Sequence, residues 1–424
     1  MCSQKGILAL ILKDLLKSCT RSCLNYQVDL KLKAASNLLG ISKKTMLVYS
    51  AFTGILLFSM LCVIVALYDP CNGRSIRDSL CELYEDGMVS GRLCYSLCKE
   101  RVPVLSNCLK QQPNLKEFLW GRNLLVKVNM APDNTNVLDT VLLEPWEGIK
   151  QDQFTRMIDK YLKEQLGPGD YTTTLHKILN FGDFNSNGLL TYGEARSLWS
   201  LLQHREFLLL LLFQDNDTFP RINGTCGSIY AVEHVANNKL FNMKSNSWLS
   251  IFLSDAYHWQ FPVWKKRAKM SIGMIEFMMD IFEKNGVNYY MCNILPTSFG
   301  YTPRYDIKII DILSVVSKHH LKTEMSNRSC YTDDDCTFSH NCKTQCNQEL
   351  RKCSSDLVVP NLKILCDLLM DYLMYGAPNH ITVDLERLLH QCQSLDNRQF
   401  SAEMDHAVLL NDLQLFIWSQ IKYG

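Results

Sequence analysis

The feature that most constrains this chain is an uncharged apolar segment at residues 46–67, MLVYSAFTGILLFSMLCVIVAL. About 20 apolar residues in a helix are enough to cross the hydrocarbon layer of a membrane. A cleaved signal peptide is the alternative interpretation, but the apolar region is long, begins only at residue 46 and lacks a clear small-x-small cleavage signal. The sequence therefore predicts an uncleaved transmembrane signal-anchor.

The residues before this segment are strongly basic. Residues 1–45 contain eight Lys and Arg against two Asp, whereas the whole chain carries a net charge of +1. Because positively charged flanks stay in the cytosol, we predict a single-pass type II membrane protein with a cytosolic tail at 1–45 and a luminal remainder. The apolar run at 6–16 is too short to span and contains Lys13 and Asp14, so we expect it to lie along the membrane surface or to be ordered only locally.

Cysteines and glycosylation sequons agree with this orientation. Of the 18 cysteines, 14 follow the anchor, and an even number in an oxidising lumen indicates disulfide bonds. Three N-x-S/T sequons, at Asn216, Asn223 and Asn327, lie on the same side and predict a glycoprotein. A zinc site at Cys94 and Cys98 is an alternative that lacks a second close cysteine pair.

The luminal part is predicted to have both strands and helices, with the strands first and the helices last. No basic patch suited to nucleic acid is present, and the membrane and luminal or secretory proteins are the partners expected. The periodicity predicts the following elements: strands at 123–128, 229–235 and 305–311, a loop after 289–293, and helices at 154–166, 172–180, 195–213, 264–284, 362–375, 383–392 and 404–421.

Residues 183–194, DFNSNGLLTYGE, match the 12-residue calcium loop of an EF-hand at every defined position. Only two of the ligands would be charged, so any affinity for Ca²⁺ should suit a calcium-rich lumen. The alternative is an Asn/Gly-rich turn that caps the next helix. The oxygen ligands of the predicted site are Asp183, Asn185, Asn187, the carbonyl of Leu189, Thr191 and Glu194.

Three further residues have the spacing and setting of a protein-kinase skeleton. Lys127 lies inside a predicted strand, Glu206 inside a buried helix, and Asp311 at the end of another strand. In a kinase the lysine holds the α- and β-phosphates of ATP and pairs with the helix acid, while the strand-end Asp holds Mg²⁺. Spacing alone is a weak signal, because single lysines and acids are common.

The ordered set of segments is more specific than any one of them. The cysteine-rich stretch after the anchor, the loop DFNSNGLLTYGE, REFLL, YAVEHV, YDIKIID and the knot CYTDDDCTFSHNCKTQC resemble the divergent protein kinase domain 1 family. These are cysteine-rich type II proteins of the endoplasmic reticulum membrane. The resemblance implies an α+β, two-lobed protein-kinase-like fold with an EF-hand-like insertion, preceded by a transmembrane helix and a cysteine-rich stem.

The same resemblance implies functional roles and a division of the chain. Lys127 and Glu206 would bind ATP, and Asp311 would hold Mg²⁺ or Mn²⁺. The predicted regions are a tail at 1–45, an anchor at 46–67, a stem at 68–112, a small lobe at 113–240 with the insertion at 183–194, and a large lobe at 241–424 with a cysteine-rich knot at 330–353.

The catalytic loop departs from the kinase pattern D-x-x-x-x-N. Counting back 13 residues from Asp311 reaches Ser298, in place of the metal-binding Asn, and five more reach Asn293, in place of the catalytic Asp. An amide orients a hydroxyl but does not accept its proton, and a neutral hydroxyl is a poorer metal ligand. Only Gly121 remains of a glycine-rich loop before Lys127. Two hypotheses follow: a luminal kinase with slow or altered phosphotransfer, or a pseudokinase that acts as a calcium-regulated scaffold.

Overall fold

The structure is a computed structural model, and no helix among the residues that it describes is long and apolar enough to cross a membrane. Apart from Leu57 and Met60, the predicted anchor at 46–67 lies outside these residues, as does the whole cytosolic tail. The described residues are 57, 60, 71–111, 115–121, 123–129, 144–235, 240, 242–243, 259–260, 262–357, 359–394 and 402–423.

The first part of the fold is built on a five-stranded antiparallel sheet with the strand order β1-β2-β3-β5-β4. The strands are β1 (Cys108–Gln111), β2 (Leu115–Trp120), β3 (Leu124–Asn129), β4 (Ile222–Cys226) and β5 (Ile229–Glu233). On β3, Lys127 lies opposite Glu117 of β2 and Tyr230 of β5. Because side chains alternate along a strand, Val126 and Val128 point to one face of the sheet and Lys127 to the other.

The cysteine-rich stem covers the face of the sheet that Val126 and Val128 occupy. Its two helices, α1 (Gly73–Glu85) and α2 (Arg92–Cys98), bury Leu80, Leu93 and Leu97 against that face. Both disulfides and an apolar core stabilise this segment, because the apolar residues of the stem are completed by those of the sheet.

Among the described residues between β3 and β4 there are four helices: α3 (Gln151–Leu166), α4 (Thr172–Gly182), α5 (Tyr192–Leu202) and α6 (Arg205–Leu212). The prediction of one continuous helix over 195–213 is wrong, since the chain is extended at His204. No Gly or Pro marks this break. Trp199 on α5 packs against α3, whereas Phe207 on α6 packs edge-on against Tyr230 of the sheet, so the two helices follow different partners.

The C-terminal half is mainly helical and also contains short antiparallel sheets of two or three strands. The predicted loop after residues 289–293 is preceded by a strand, and the strand predicted over 305–311 forms only at its centre, which leaves Asp311 in the turn beyond it. The elements are β6 (Asn242–Met243), β7 (Trp259–Gln260), α7 (Trp264–Phe282), β8 (Glu283–Lys284), β9 (Val287–Met291), β10 (Phe299–Tyr301), β11 (Ile307–Ile309), β12 (Val315–Ser317), α8 (Lys318–Ser326), β13 (Thr344–Asn347), β14 (Lys352–Leu357), α9 (Asn361–Met374), α10 (Thr382–Gln393) and α11 (Ala402–Tyr423).

All 14 cysteines after residue 67 are paired. Because Cys94 and Cys98 belong to different bridges, the zinc alternative does not hold. The stem is bridged to β4, and the knot is bridged to the segment after β9. The seven disulfides are Cys71–Cys108, Cys81–Cys98, Cys94–Cys226, Cys292–Cys342, Cys330–Cys346, Cys336–Cys353 and Cys366–Cys392.

Candidate functional site

A buried charge cluster surrounds Lys127 on the inner face of the sheet. Its Nζ lies 2.5 Å from Oε1 of Glu206 on α6 and 3.3 Å from Oε1 of Glu117 on β2. The three side chains are between 10% and 16% exposed, so their charges are poorly hydrated and depend on each other. Two carboxylates around one ammonium leave the cluster with one excess negative charge.

Glu117 was not among the candidates from sequence. The alternation of LKEFLW was the available signal, because Glu117 lies on the same face as Lys127 once β2 and β3 pair in register. It also lies near His234, directly after β5. Burial lowers the pKa of His234, and the charge of Glu117 opposes that shift, so His234 is mainly neutral at pH 7.

The second part of the site is the loop between β9 and β10 together with Asp311. Asn293 and Asp311 are both half-buried, and Nδ2 of Asn293 donates to Oδ2 of Asp311 over 2.9 Å. Two carboxylates would repel each other at this distance, whereas an amide stabilises the charge of Asp311. Asn293 therefore serves as a hydrogen-bond donor to the candidate metal ligand.

Ser298 has a structural role in the same loop. Its hydroxyl donates to the carbonyl of Asn293 over 2.7 Å and accepts from the amide of Leu295 over 3.3 Å. The residue is only 1% exposed, and its carbonyl accepts from the amide of Ile310 over 2.8 Å. These bonds close the loop and join it to the strand before Asp311. Metal coordination by Ser298 stays a prediction.

The cysteine-rich knot holds this loop from the other side. Cys292, adjacent to Asn293, is bridged to Cys342. Oδ1 of Asn341 accepts from the amide of Ile294 over 2.6 Å, and the hydroxyl of Ser339 donates to the carbonyl of Cys292. The knot therefore supports the site. Its distance along the sequence from Asn293 had given no indication of this contact.

Two contacts join the sheet and its helices to the segment around Asp311. Lys308 on β11 is 6% exposed, and its Nζ lies 2.8 Å from Oε2 of Glu233 at the end of β5. Arg205, the first residue of α6, donates from Nη2 to the carbonyl of Val315 over 2.9 Å. The two halves of the candidate site, Lys127–Glu206 and Asn293–Asp311, are thus connected through α6 and through β11.

The predicted calcium loop lies between α4 and α5, as an EF-hand loop requires. Oδ1 and Oδ2 of Asp183 accept from the amides of Asn187 and Gly188, and Gly188 has a φ of 80°. Glu194 is 1% exposed. Its Oε1 accepts from the amide of Phe184, and its Oε2 from the amide and hydroxyl of Thr191.

Thr191 and Glu194 form a reciprocal capping box at the start of α5. This arrangement agrees with the turn-and-cap alternative. It is equally compatible with an ion-binding loop, whose last ligand begins the exit helix. Ca²⁺ binding by residues 183–194 stays a prediction.

The three sequons differ in their surroundings. Asn223 and Asn327 are exposed, whereas Asn216 is half-buried. Nδ2 of Asn216 donates to Oδ2 of Asp280 over 2.9 Å, and its Oδ1 accepts from the amide of Thr218 over 2.7 Å. Nδ2 of Asn223 and Nδ2 of Asn327 each donate one hydrogen bond to a main-chain carbonyl, over 3.5 Å and 3.3 Å, so a glycan there would disturb fewer contacts than one on Asn216.

Two family models match this chain. Residues 39–180 match the N-terminal cysteine-rich ER region of FAM69, and residues 198–395 match the protein-kinase domain of FAM69. The chain belongs to the FAM69 family. The resemblance to divergent kinases inferred from its motifs is therefore confirmed, and the FAM69 chain has a kinase-like fold.

In this FAM69 chain, the two matches lie on either side of residues 181–197, which contain the predicted calcium loop. Its cysteine-rich N-terminal region is of the type that the family model assigns to the endoplasmic reticulum. The seven disulfides fit a luminal or secretory environment.

One solved structure with a similar arrangement is the crystal structure of the aminoglycoside phosphotransferase APH(2'')-Ib in its ADP-bound form. The sequence identity is 9%, and the match covers 76% of the FAM69 chain and 98% of the phosphotransferase chain, with a TM-score of 0.25. At this TM-score the likeness carries no argument about the site.

Proposed function

We propose that this FAM69-family chain binds ATP with Mg²⁺ or Mn²⁺ at the candidate site formed by Lys127, Glu206 and Asp311. The observation that carries the proposal is the buried 2.5 Å ion pair between Lys127 and Glu206. A lysine held by a helix acid is the group that kinases use to position the α- and β-phosphates. A divalent cation bound with the nucleotide would balance the excess negative charge that Glu117 and Glu206 leave around Lys127.

The residues around Asp311 fit a divalent cation bound together with nucleotide. Mg²⁺ prefers one or two carboxylates with phosphate oxygens and water, and Asp311 supplies one such carboxylate. Its Oδ2 is oriented by the amide of Asn293, which fixes the side chain. The cation would neutralise phosphate charge, while Lys127 and Asp311 would fix the nucleotide from opposite sides.

Phosphoryl transfer by this site is proposed to be weak. Asn293 takes the position of the catalytic Asp, and its amide donates to Asp311 and cannot accept the proton of an attacking hydroxyl. This observation also favours the second candidate function, a pseudokinase that binds luminal or secretory proteins as a scaffold. The two differ in whether nucleotide binding leads to any phosphate transfer.

The proposed setting is the lumen of the endoplasmic reticulum. The type II anchor at 46–67 would hold the domain at the membrane, with the division into stem, small lobe and large lobe given above. Calcium binding at 183–194 and glycosylation at Asn223 and Asn327 belong to the same proposal. The basic tail, the paired cysteines and the sequons support it together.

The nucleotide proposal is tested on the purified full chain by thermal unfolding with and without Mn²⁺-ATP. A ligand that binds only the folded state raises its melting temperature, so we expect a rise in the wild type that Lys127→Met abolishes. Lys110→Met, an exposed lysine of the same sheet, should keep the rise. A wild type without the rise, or a Lys127→Met variant that retains it, would contradict nucleotide binding at this site.

The role of Asn293 is tested by transfer of radioactive phosphate to the chain itself or to added protein. We expect transfer by the wild type to be near the background of Lys127→Met and to increase at least tenfold in Asn293→Asp, since the substitution supplies a base. Strong wild-type transfer that Asn293→Asp does not increase would show that the amide is no obstacle.

The calcium proposal is tested with Asp183→Asn, which keeps oxygen acceptors for the turn and removes one ligand charge. We expect millimolar Ca²⁺ to raise the melting temperature of the wild type and to raise that of the variant much less. An equal rise in both would place the bound Ca²⁺ elsewhere and leave 183–194 as a helix-capping turn.

A further inference from the structure

A small polar cavity lies next to the candidate site, where the start of α6 meets α3, β12 and the beginning of α8. Its volume is about 40 Å³, and it opens at the exposed side chains of Gln165 and Gln203. A single water needs roughly 10–15 Å³ on this measure, so the space suits about three waters or one small tetrahedral ion. Its lining is partly apolar, from leucines of α3 and α6 and Val315, and the polar side chains that line it are Tyr161, Gln165, Gln203, Arg205, Ser317 and His320.

The charge in this polar cavity is positive. Arg205 is half-buried and, among the residues that the structure describes, has no carboxylate within 4.0 Å of its guanidinium. Its Nη1 lies 3.5 Å from Nε2 of His320, and its Nη2 is bound to a main-chain carbonyl. The acid on α8 is Glu324, which is exposed. Its charge raises the pKa of Arg205 and of His320, but burial lowers both pKa values by more.

The cavity offers several hydrogen-bond donors. Ser317 accepts the amide of His320 as the N-cap of α8, which leaves its O–H available to donate. The guanidinium of Arg205 only donates, so Nε2 of His320 accepts from it and the ring N–H is on Nδ1. The hydroxyl of Tyr161 is already bound to the carbonyl of Leu202. A guanidinium combined with further N–H and O–H donors is a common recognition set for phosphate and sulfate.

We propose that the polar cavity binds a tetrahedral oxyanion, phosphate or sulfate, held by Arg205, His320 and Ser317. An anion there would supply the counter-charge that the half-buried Arg205 lacks. It would also bridge the first residue of α6 to the strand after Asp311, and so favour the position of α6 in which Glu206 contacts Lys127. This inference does not depend on nucleotide binding at the candidate site.

The test measures phosphate binding by isothermal titration calorimetry on the wild-type full chain, which is the parent of the variants below. Because Lys127 is the same in the parent and in every variant, phosphate binding at the nucleotide site does not contribute to the differences between them. We expect saturable binding, weakened at least tenfold by His320→Gln and more strongly by Arg205→Met. The control Arg221→Met, an exposed arginine in a surface ion pair, should bind like the parent.

Thermal unfolding in phosphate, sulfate and chloride at equal ionic strength gives a second readout. Phosphate and sulfate stabilise proteins in general, so the informative quantity is the rise in the parent minus the rise in His320→Gln. A positive difference is expected for both oxyanions and not for chloride. No saturable heat, or equal binding by the parent and both cavity variants, would overturn the proposal even if nucleotide binding were established.

The source of the oxyanion is distinguished by repeating the calorimetry with glycerol 3-phosphate. Binding of inorganic phosphate alone supports a free ion, because the ester exceeds the space available. Equal binding of the ester supports recognition of a phosphoryl group that reaches in through the opening at Gln165 and Gln203.

Discussion

The two cysteine-rich regions of this chain have the same bridge plan and different interiors. Two disulfides of the stem close within residues 68–112, one of them at Cys108 on β1, and the third, Cys94–Cys226, joins the stem to β4. The knot likewise has two internal disulfides and one, Cys292–Cys342, that reaches the loop beside Asn293. The stem buries leucines against the sheet, whereas the interior of the knot consists largely of its own cysteines. A segment with little apolar core depends more on covalent bridges.

The largest effect is expected from opening the bridge between the stem and the sheet. Cys94 and Cys226 are 132 residues apart, and closing so long a loop stabilises the folded state by about 5 kcal/mol on the chain-entropy model. Cys94→Ala with Cys226→Ala should therefore unfold at much lower urea than Cys81→Ala with Cys98→Ala, where the separation is 17 and the model gives about 3 kcal/mol. Equal midpoints would show that the long-range bridge has no special weight.

Removing the bridge between the knot and the loop beside Asn293 should lower stability somewhat less than removing Cys94–Cys226, but it should weaken the proposed nucleotide binding more. The separation of Cys292 and Cys342 is 50, which corresponds to about 4 kcal/mol. Because the bridge also fixes the loop beside Asn293, we expect Cys292→Ala with Cys342→Ala to lose the proposed rise in melting temperature with Mn²⁺-ATP. The stem variants that remain folded should keep it. If both classes of variant keep the rise, the knot does not support the site.

A single glycine tests how closely the stem is seated on the sheet. Gly91 has a φ of 151°, and a Cβ there would lie 2.1 Å from the carbonyl oxygen of Thr225. Gly91→Ala should therefore lower the free energy of unfolding by about 3 kcal/mol, since main chain must move. Gly87→Ala is the control, because its φ is also positive but its Cβ would meet nothing. If urea unfolding shows similar losses of stability for Gly91→Ala and Gly87→Ala, backbone strain at positive φ accounts for both, and the contact with Thr225 does not.

The smallest effect concerns the contact between the knot and the loop. Asn341→Ala removes the acceptor for the amide of Ile294 and should cost about 2 kcal/mol, the typical penalty for an unpaired buried donor. Asn347→Ala in the same knot removes an exposed side chain and should cost less than 1 kcal/mol in the same unfolding experiment. If Asn347→Ala lowers the free energy of unfolding more than Asn341→Ala does, the contact between Asn341 and the loop is not the one that stabilises the knot.

Helices and strands were predictable where they depend on residues close to one another in sequence. The helices near 154–166, 172–180 and 264–284 and the strand around Lys127 form close to their predicted bounds, because periodicity and turn residues act over a few positions. The break at Gln203–His204 was not predictable. It depends on α5 and α6 packing against different elements that are distant in sequence.

The amino-acid types and their order were enough to identify the groups available: an even set of cysteines beyond residue 67, a lysine inside a strand, an acid on each of two later segments, and an amide where a kinase has a base. Which of these groups meet depends on the tertiary fold. Glu117 joins Lys127 through strand register, Asn293 turns its amide to Asp311, and Arg205 contacts His320 beside the polar cavity. Such pairs form between residues far apart in sequence, and their geometry is set by the packing of whole elements.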